Sequence, residues 1–377
     1  MVQQPASAKL NLAGRRELRR YSRHLLIPEV GLAGQERLAS SRALLIGAGG
    51  LGSPVLQYLA AAGVGRIGVV DDDVVDETNL QRQTIFATSD VGRKKAHVAA
   101  EFAHALNPQI SVDALALRFG PDNARELVRA YDVTIDCTDR FPTRYLINDA
   151  CVLENKPDVY ASIYRFDGQV SVFHAKGGPC YRCLFPHAPA PHSVPTCAEG
   201  GVLGVLGGLV GAFQANETLK LMLGIGEPLI GRLLLVEALG ARTREIAFAR
   251  DPSCAVCGEH PSIGDAELYD DEPERDADDV EPHELDAALA TAVLLDVREP
   301  HEIVLGIVEG ATQIPASQLE ARMHELDSAR TYVVACRVGV KSRWAAQRLR
   351  DAGFTRVRHL HGGLLAYAAG RPDFEFF

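Results

Sequence analysis

Residues 42–73 read RALLIGAGGLGSPVLQYLAAAGVGRIGVVDDD, and they decide the fold. Ala43–Ile46 is an apolar run of strand type, and Gly47-Ala48-Gly49-Gly50-Leu51-Gly52 is a glycine-rich turn. Ser53–Ala62 is helical, and Arg66–Val70 is a second strand that ends in Asp71-Asp72-Asp73. Glycines at 47, 49 and 52, between a strand and a helix, let backbone N–H groups approach phosphates at a helix N-terminus. Asp71 lies 24 residues beyond Gly47, placed for a ribose hydroxyl. Tight packing alone uses the same glycines, so the turn specifies a nucleotide of no particular kind, with NAD the default. Tyr131–Cys137 reads as a further strand, ending in Thr138-Asp139. Strands alternating with helices predict an α/β fold with a mostly parallel sheet and helices on both faces.

Asn79-Leu80-Gln81-Arg82-Gln83 follows the acidic cluster, and Lys95 comes soon after. An Arg and a Lys suit triphosphate oxygens, and a carboxylate such as Asp139 suits magnesium. Singly, Lys95 reads equally as a surface cation and Asp139 as a helix cap. Together at the carboxyl ends of strands they favour ATP, since hydride transfer needs no such set.

Cys180-x-x-Cys183 and Cys254-x-x-Cys257 are two thiol pairs separated by 70 residues. Four such thiols suit a closed tetrahedral zinc site, here a structural clasp between distant segments. The alternatives are four buried thiols or a redox pair. Between the pairs, Leu184–Gly201 is a Pro-rich loop carrying the lone Cys197, a nucleophile if its thiolate is accessible. His187 and His192 read as loop solvation.

A second α/β unit follows, with strands at Ala292–Asp296, Tyr332–Ala335 and Val357–Leu360 and a helix at Lys341–Ala352. Cys336-Arg337-Val338-Gly339-Val340-Lys341 stands between strand and helix. Backbone N–H groups, the helix dipole, Arg337, Lys341 and Arg343 all favour an anion there, a persulfide included. A phosphatase-type loop has a similar arrangement.

The chain has 377 residues, 47% of them hydrophobic and 23% charged, which is ordinary for globular protein of two or three domains. Its formal charge of −10 is concentrated in residues 263–282, where ten acids face Arg275 alone. That segment predicts an extended tether between domains at 1–262 and 283–377. Neither flanking region has the basic surplus that phosphate neutralisation needs, so no nucleic-acid partner is expected. No apolar run reaches the ~20 residues of a membrane span. The most apolar stretch, Val202–Phe213, is short and Gly-rich, and Met1–Leu12 has no apolar core of a secretory signal. A cytoplasmic setting is therefore expected, in which the eight cysteines serve metal binding or catalysis before disulfides.

Taken together these segments resemble a known family. Residues 16–260 resemble the MoeB/ThiF branch of the ubiquitin-activating superfamily. The matching strings are Arg20-Tyr21-Ser22-Arg23, Gly47 to Gly52, Asn79 to Gln83, Asp136-Cys137-Thr138-Asp139, both Cys-x-x-Cys pairs and Thr196-Cys197-Ala198-Glu199. Residues 283–377 resemble a rhodanese domain, through Leu295-Asp296-Val297-Arg298-Glu299 and the Cys336 loop, and the fused order is that of MoeZ-type proteins. One departure is Gly306-Ile307, where a rhodanese usually has His after the Gly.

The resemblance implies a Rossmann-like ATP-binding domain with structural zinc, plus a smaller rhodanese domain. It implies that Asp71 holds the ATP ribose, Arg82 and Lys95 contact phosphates with help from Asn79 and Gln83, and Asp139 holds Mg2+. Arg23 would reach the partner subunit's phosphates, which implies a homodimer. Cys197 matches a cysteine that binds the carrier covalently in some relatives and is dispensable in others. The implied activity is adenylation of the C-terminal Gly-Gly carboxylate of a ubiquitin-like sulfur carrier protein (MoaD, ThiS or CysO type). Sulfur transfer from a Cys336 persulfide follows, supplied by a donor such as thiosulfate or a cysteine desulfurase. Molybdopterin, thiamine, cysteine and thiosugar synthesis are the pathways served in that family. Three rivals stand beside it: an NAD-dependent oxidoreductase with a rhodanese accessory, a non-catalytic persulfide-sensing scaffold, and activation of a tRNA adenosine.

Overall fold

The computed structural model describes residues 15–189, 200–264, 279–304, 306–369 and 371. The chain forms two compact units, Met1–Asp271 and Glu272–Phe377. In the first, the apolar runs become strands β1 (Arg42–Ile46), β2 (Arg66–Val70), β3 (Ser111–Leu115), β4 (Val133–Asp136) and β5 (Asp158–Tyr164). Strands β6 (Asp167–Phe173), β7 (Arg232–Glu237) and β8 (Arg242–Ala247) complete an eight-stranded sheet in the order β3-β2-β1-β4-β5-β6-β7-β8. Pairing is parallel from β3 to β5 and antiparallel from β5 to β8. The strand order reverses between β1 and β4, which opens a crevice at their carboxyl ends.

The helix Gly52–Ala62 follows the glycine turn and buries Val55, Leu56 and Leu59 completely. Across it lies a 20-residue helix, Gly204–Leu223, which begins within the Gly-rich apolar stretch. Two of its glycines serve close approach: a Cβ on Gly207 would meet the Gly50 carbonyl oxygen at 2.6 Å, and one on Gly211 would meet that of Leu51 at 2.9 Å. The intrinsic penalty of glycine in a helix is thus offset by packing against the backbone of the nucleotide turn.

The second unit has a five-stranded sheet, all parallel, in the order β11-β10-β12-β13-β9. These strands are β9 (Asp279–Val280), β10 (Val293–Asp296), β11 (Thr312–Gln313), β12 (Tyr332–Ala335) and β13 (Val357–Leu360). Residues 265–278 of the expected tether lie outside the described residues. Its two ends do not behave as tether. Ile263 packs on the Cys180–Cys257 cluster, and Asp279–Val280 pairs with β13, because Val280 is fully buried and Asp279 meets His359 at 2.6 Å. No helix among the described residues is long and apolar enough to cross a membrane.

Candidate active sites and metal centre

The carboxyl ends of β1 to β5 surround a cleft of about 570 Å³, within the ~300–1,000 Å³ range of small-ligand sites. Strand order lays its lining out in sequence. Leu117, Arg118 and Phe119 follow β3, Asp71 to Asp73 follow β2, Gly47 to Gly50 follow β1, and Thr138 and Asp139 follow β4. Asn79, Arg82, Gln83 and Lys95, from the segment between β2 and β3, also line it. Nine of the expected binding residues thus meet: Gly47, Gly49, Gly50, Asp71, Asn79, Arg82, Gln83, Lys95 and Asp139. Gly52 is not in the lining; it starts the helix, where a side chain would collide with the Gly47 carbonyl. Gly47 has φ +94°, and a Cβ there would lie 2.9 Å from the Cys137 carbonyl oxygen. Arg23 is exposed and does not line the cleft of its own chain.

Local hydrogen bonds set these groups. The Asp71 carboxylate accepts from Ala48 N at 2.8 Å and from Asp73 N at 3.0 Å, which ties the glycine turn to β2. Burial raises its pKa. Lys95 is 5% exposed, and its Nζ donates to Asp73 Oδ2 at 2.9 Å. Arg82 Nη1 donates to the Thr78 carbonyl oxygen at 3.0 Å, within a turn capped by Asp76. Buried Asp136 accepts from the Thr138 N–H at 2.9 Å and its hydroxyl at 2.7 Å, leaving the next residue, Asp139, exposed in the cleft. Asp139 and Asp71 to Asp73 all line the cleft, and their hard carboxylate oxygens are the donor type magnesium takes.

Three contributors were not legible as site residues. Asp73 holds Lys95. Gln214 donates to the Asp136 and Val159 carbonyls at 2.6 and 2.8 Å, joining β4 to β5. Arg144 lines the cleft from the first turn of the helix Phe141–Leu153. Pro142 was the available signal, since proline marks helix starts and so places Arg144 next to the strand end.

Because Gly207 touches the turn backbone, Gly207→Ala is expected to destabilise the unit by ~1–3 kcal/mol through overpacking. It should also weaken nucleotide binding. Urea denaturation with and without nucleotide checks this; unchanged stability and unchanged nucleotide response would refute the coupling.

The Cys180, Cys183, Cys254 and Cys257 sulfurs all lie within 4.8 Å of one another. Three separations are 3.8, 3.5 and 3.4 Å. Ligands 2.3 Å from a tetrahedral zinc stand about 3.8 Å apart, so the set fits zinc, with no position left for substrate. The hydrogen bond with Cys180 pulls the Cys183 thiol down to about 5, while burial pushes Cys257 up to about 11. The intervening Arg182 makes a bidentate pair with Asp149 at 2.7 Å, and Tyr181 N donates to Asn148 Oδ1 at 2.7 Å. The clasp is therefore anchored to the helix that carries Arg144. Chelation, or Cys254→Ser, is expected to lower Tm, with stoichiometric zinc by metal analysis of the wild type. Protein that purifies without zinc and melts unchanged would remove this assignment.

In the second unit, Cys336 is 1% exposed and accepts from Gly339 N at 3.2 Å. Its Sγ lies 3.5 Å from Ser342 Oγ. Gly339, at φ +92°, caps the helix Val340–Asp351, so the helix N-terminus faces the sulfur. The expected cationic field is only partly present. Lys341 pairs with Glu302 at 2.6 Å and Arg343 with Asp279 at 3.2 Å, so both charges are already matched. The Gly339 N–H and the helix N-terminus remain to favour an anion at the sulfur, with half-buried Arg337 in the same loop. The Leu364 and Leu365 N–H groups bond the Cys336 and Arg337 carbonyls at 2.9 Å and fix the loop. Arg298 and Asp296 form a buried pair at 2.7 Å, and Arg298 also donates to the Gly306 carbonyl at 2.8 Å. Cys197 and His192 lie outside the described residues. His187 is exposed and offers its carbonyl to the Tyr145 hydroxyl at 2.7 Å. No described cysteine is in a disulfide.

Residues 21–256 match the ThiF family, and residues 281–369 match the rhodanese-like domain. The chain is 46% identical, over 393 residues, to a Mycobacterium tuberculosis protein named probable adenylyltransferase/sulfurtransferase MoeZ, covering 99% of this chain and 98% of that one. It is 54% identical over 251 residues to the sulfur carrier protein adenylyltransferase of Thermus thermophilus, covering 65% of this chain and 93% of the relative. The adenylyltransferase and sulfurtransferase MOCS3 of Mus musculus is 40% identical over 411 residues, covering 98% and 89%. Among solved structures, E. coli MccB with AMPCPP and MccA aligns with TM-score 0.57 at 24% identity, covering 63% of this chain and 74% of that one, a likeness of fold. The chain belongs to the ThiF family and carries a C-terminal rhodanese-like domain.

Proposed function

We propose that the chain adenylates the C-terminal Gly-Gly carboxylate of a ubiquitin-like sulfur carrier and then transfers persulfide sulfur to it from Cys336. One observation carries the reading: a cleft bearing Asp71, Arg82, Lys95 and Asp139 accompanies a strand-to-helix cysteine loop in a rhodanese-like unit. ATP would set its base by Leu117 and Phe119, its ribose on Asp71 and its phosphates over the glycine turn under Arg82 and Lys95. Asp139 would hold Mg2+, which supplies charge neutralisation of the phosphates. The carrier carboxylate, ionised near neutral pH, needs no base to attack the α-phosphorus. An acyl-adenylate forms and pyrophosphate leaves. The protein's part is positioning and charge stabilisation.

The outer sulfur of the Cys336 persulfide then attacks the acyl carbon and expels AMP. A thiolate, for which Cys197 is the candidate in this chain, attacks Cys336 Sγ of the resulting acyl disulfide. The products are a thiocarboxylate and a protein disulfide, which an outside thiol reduces. Such thiol chemistry suits a reducing cytoplasm.

A second hollow of about 790 Å³, lined by Tyr164, Gly168, Leu235 and Arg244 on the antiparallel half of the sheet, shares Ile163 with the cleft. It supports a route for the carrier tail. Val205, Leu209 and Phe213 repeat at four-residue spacing on one helix face, 61%, 45% and 36% exposed. That exposed stripe, with Arg23 off its own cleft, supports a homodimer.

Exchange of pyrophosphate into ATP is expected only with a carrier present, and Asp139→Ala should suppress it by ~100-fold or more. Exchange that survives Asp139→Ala would overturn the magnesium assignment. Thermal stabilisation by NADH instead of Mg-ATP would favour the oxidoreductase rival.

A further inference from the structure

We propose that Arg144 receives the carrier's terminal carboxylate and so determines which substrates the adenylation site accepts, an inference that rests on the functional reading above. Arg144 is 6% exposed, yet no carboxylate lies within ion-pair distance of it among the described residues. Its Nη2 donates to two neutral oxygens, the Thr138 carbonyl at 3.1 Å and Ser162 Oγ at 3.0 Å. Its Nε is buried without a hydrogen-bond partner. The nearby Asp136 carboxyl is pushed up by its own burial. Asp136 and Asp139 act on this cation through space, but neither carboxylate is in ion-pair contact with it, which leaves its donors open to an anion supplied by a ligand.

Its position says which anion. Arg144 lines the nucleotide cleft, and Ser162, its hydrogen-bond partner, lines the second hollow. Ile163 lines both. The Arg144–Ser162 pair therefore stands where a tail crossing from the hollow meets the nucleotide. Lys95 is held by Asp73 after β2 and Arg82 lies against Gly50 after β1, whereas Asp139 and Arg144 follow β4. The guanidinium is also pre-set, packed against the Phe141 ring at 5.1 Å and the Tyr160 ring at 5.5 Å. Such a group, fixed before binding, can align a carboxylate oxygen for attack on phosphorus.

The test uses the full chain, a non-hydrolysable ATP analogue, and a small Gly-Gly-ending carrier prepared with either a C-terminal carboxylate or a C-terminal carboxamide. Binding of each is measured by calorimetry. Wild type should bind the acid ~10-fold or more tightly than the amide, as a charge-assisted hydrogen bond requires. Arg144→Gln should bind the two forms equally, within ~2-fold, and retain analogue affinity within ~3-fold. Acid-over-amide preference that persists in Arg144→Gln overturns the inference. So does a loss of analogue affinity as large as the loss of carrier affinity, which would make Arg144 a phosphate ligand. If Arg144→Gln does not fold, Ser162→Ala, which removes one anchor, should reduce the preference; an unchanged preference there also overturns it. A wild type that binds neither carrier form overturns the functional reading as well, whereas a wild type that discriminates leaves that reading standing whatever Arg144→Gln does.

Discussion

Cys336→Ala is expected to abolish thiosulfate sulfurtransferase activity and thiocarboxylate formation, while carrier-dependent pyrophosphate exchange continues. The sulfur of Cys336 is the only atom in the account that carries the transferred sulfur. It sits at a helix N-terminus with the Gly339 N–H 3.2 Å away. A sulfur-free alanine leaves no acceptor, so the loss should be complete rather than graded. The adenylation cleft is lined by residues of a separate compact unit. Exchange should therefore proceed at the wild-type rate, and the acyl-adenylate should accumulate. Parallel assays of exchange and sulfur transfer on one preparation decide the matter. Loss of both activities in a folded variant would contradict the division of labour.

Lys95→Ala and Arg23→Ala are each expected to reduce exchange by ~100-fold or more, as removal of one preorganised charge does elsewhere. Lys95 is buried and held at 2.9 Å by Asp73, so its ammonium is already in place when phosphate arrives. Arg23 has no place in its own cleft and is proposed to act across a two-fold interface. Mixing the two inactive variants should then restore activity, because a mixed dimer contains one site with both side chains. Random pairing of two-fold protomers returns roughly a quarter of the sites. No recovery on mixing would mean that Arg23 does not act in trans.

The parallel core was legible because its signals are local. Arg66–Val70, Tyr332–Ala335 and Val357–Leu360 are strands with the bounds that their apolar runs suggest. The antiparallel half was not. The β5–β6 turn is made by Arg165, at φ +52°, and Phe166, with no Asn-Gly or Gly pair to announce a hairpin. Strand β8 reads Arg-Thr-Arg-Glu-Ile-Ala and is exposed along most of its length, so it lacks a clean alternation. The helix Gly204–Leu223 is Gly-rich, and its Gly207 and Gly211 are explained by the Gly50 and Leu51 carbonyls beneath them. Such contacts are tertiary and leave no mark in a local window.

At the site, residue types were readable and pairings were not. Gly47, Gly49, Gly50, Asp71, Arg82, Lys95 and Asp139 line one cleft. That Lys341 and Arg343 spend their charges on Glu302 and Asp279 follows from a fold that brings distant segments together. Arg144 escaped notice because a lone Arg on a helix is ordinary; beyond Pro142 at the helix start, its burial with no carboxylate in ion-pair contact singles it out.

The most direct test of the central claim is the mass of the carrier. Incubating the full chain with Mg-ATP, thiosulfate and each small Gly-Gly-ending carrier from the same genome should replace one carboxylate oxygen by sulfur on at least one of them. Intact-mass spectrometry reads that change, and it should require both ATP and Cys336. Unchanged carrier masses across the set, with active protein and ATP present, would contradict the account.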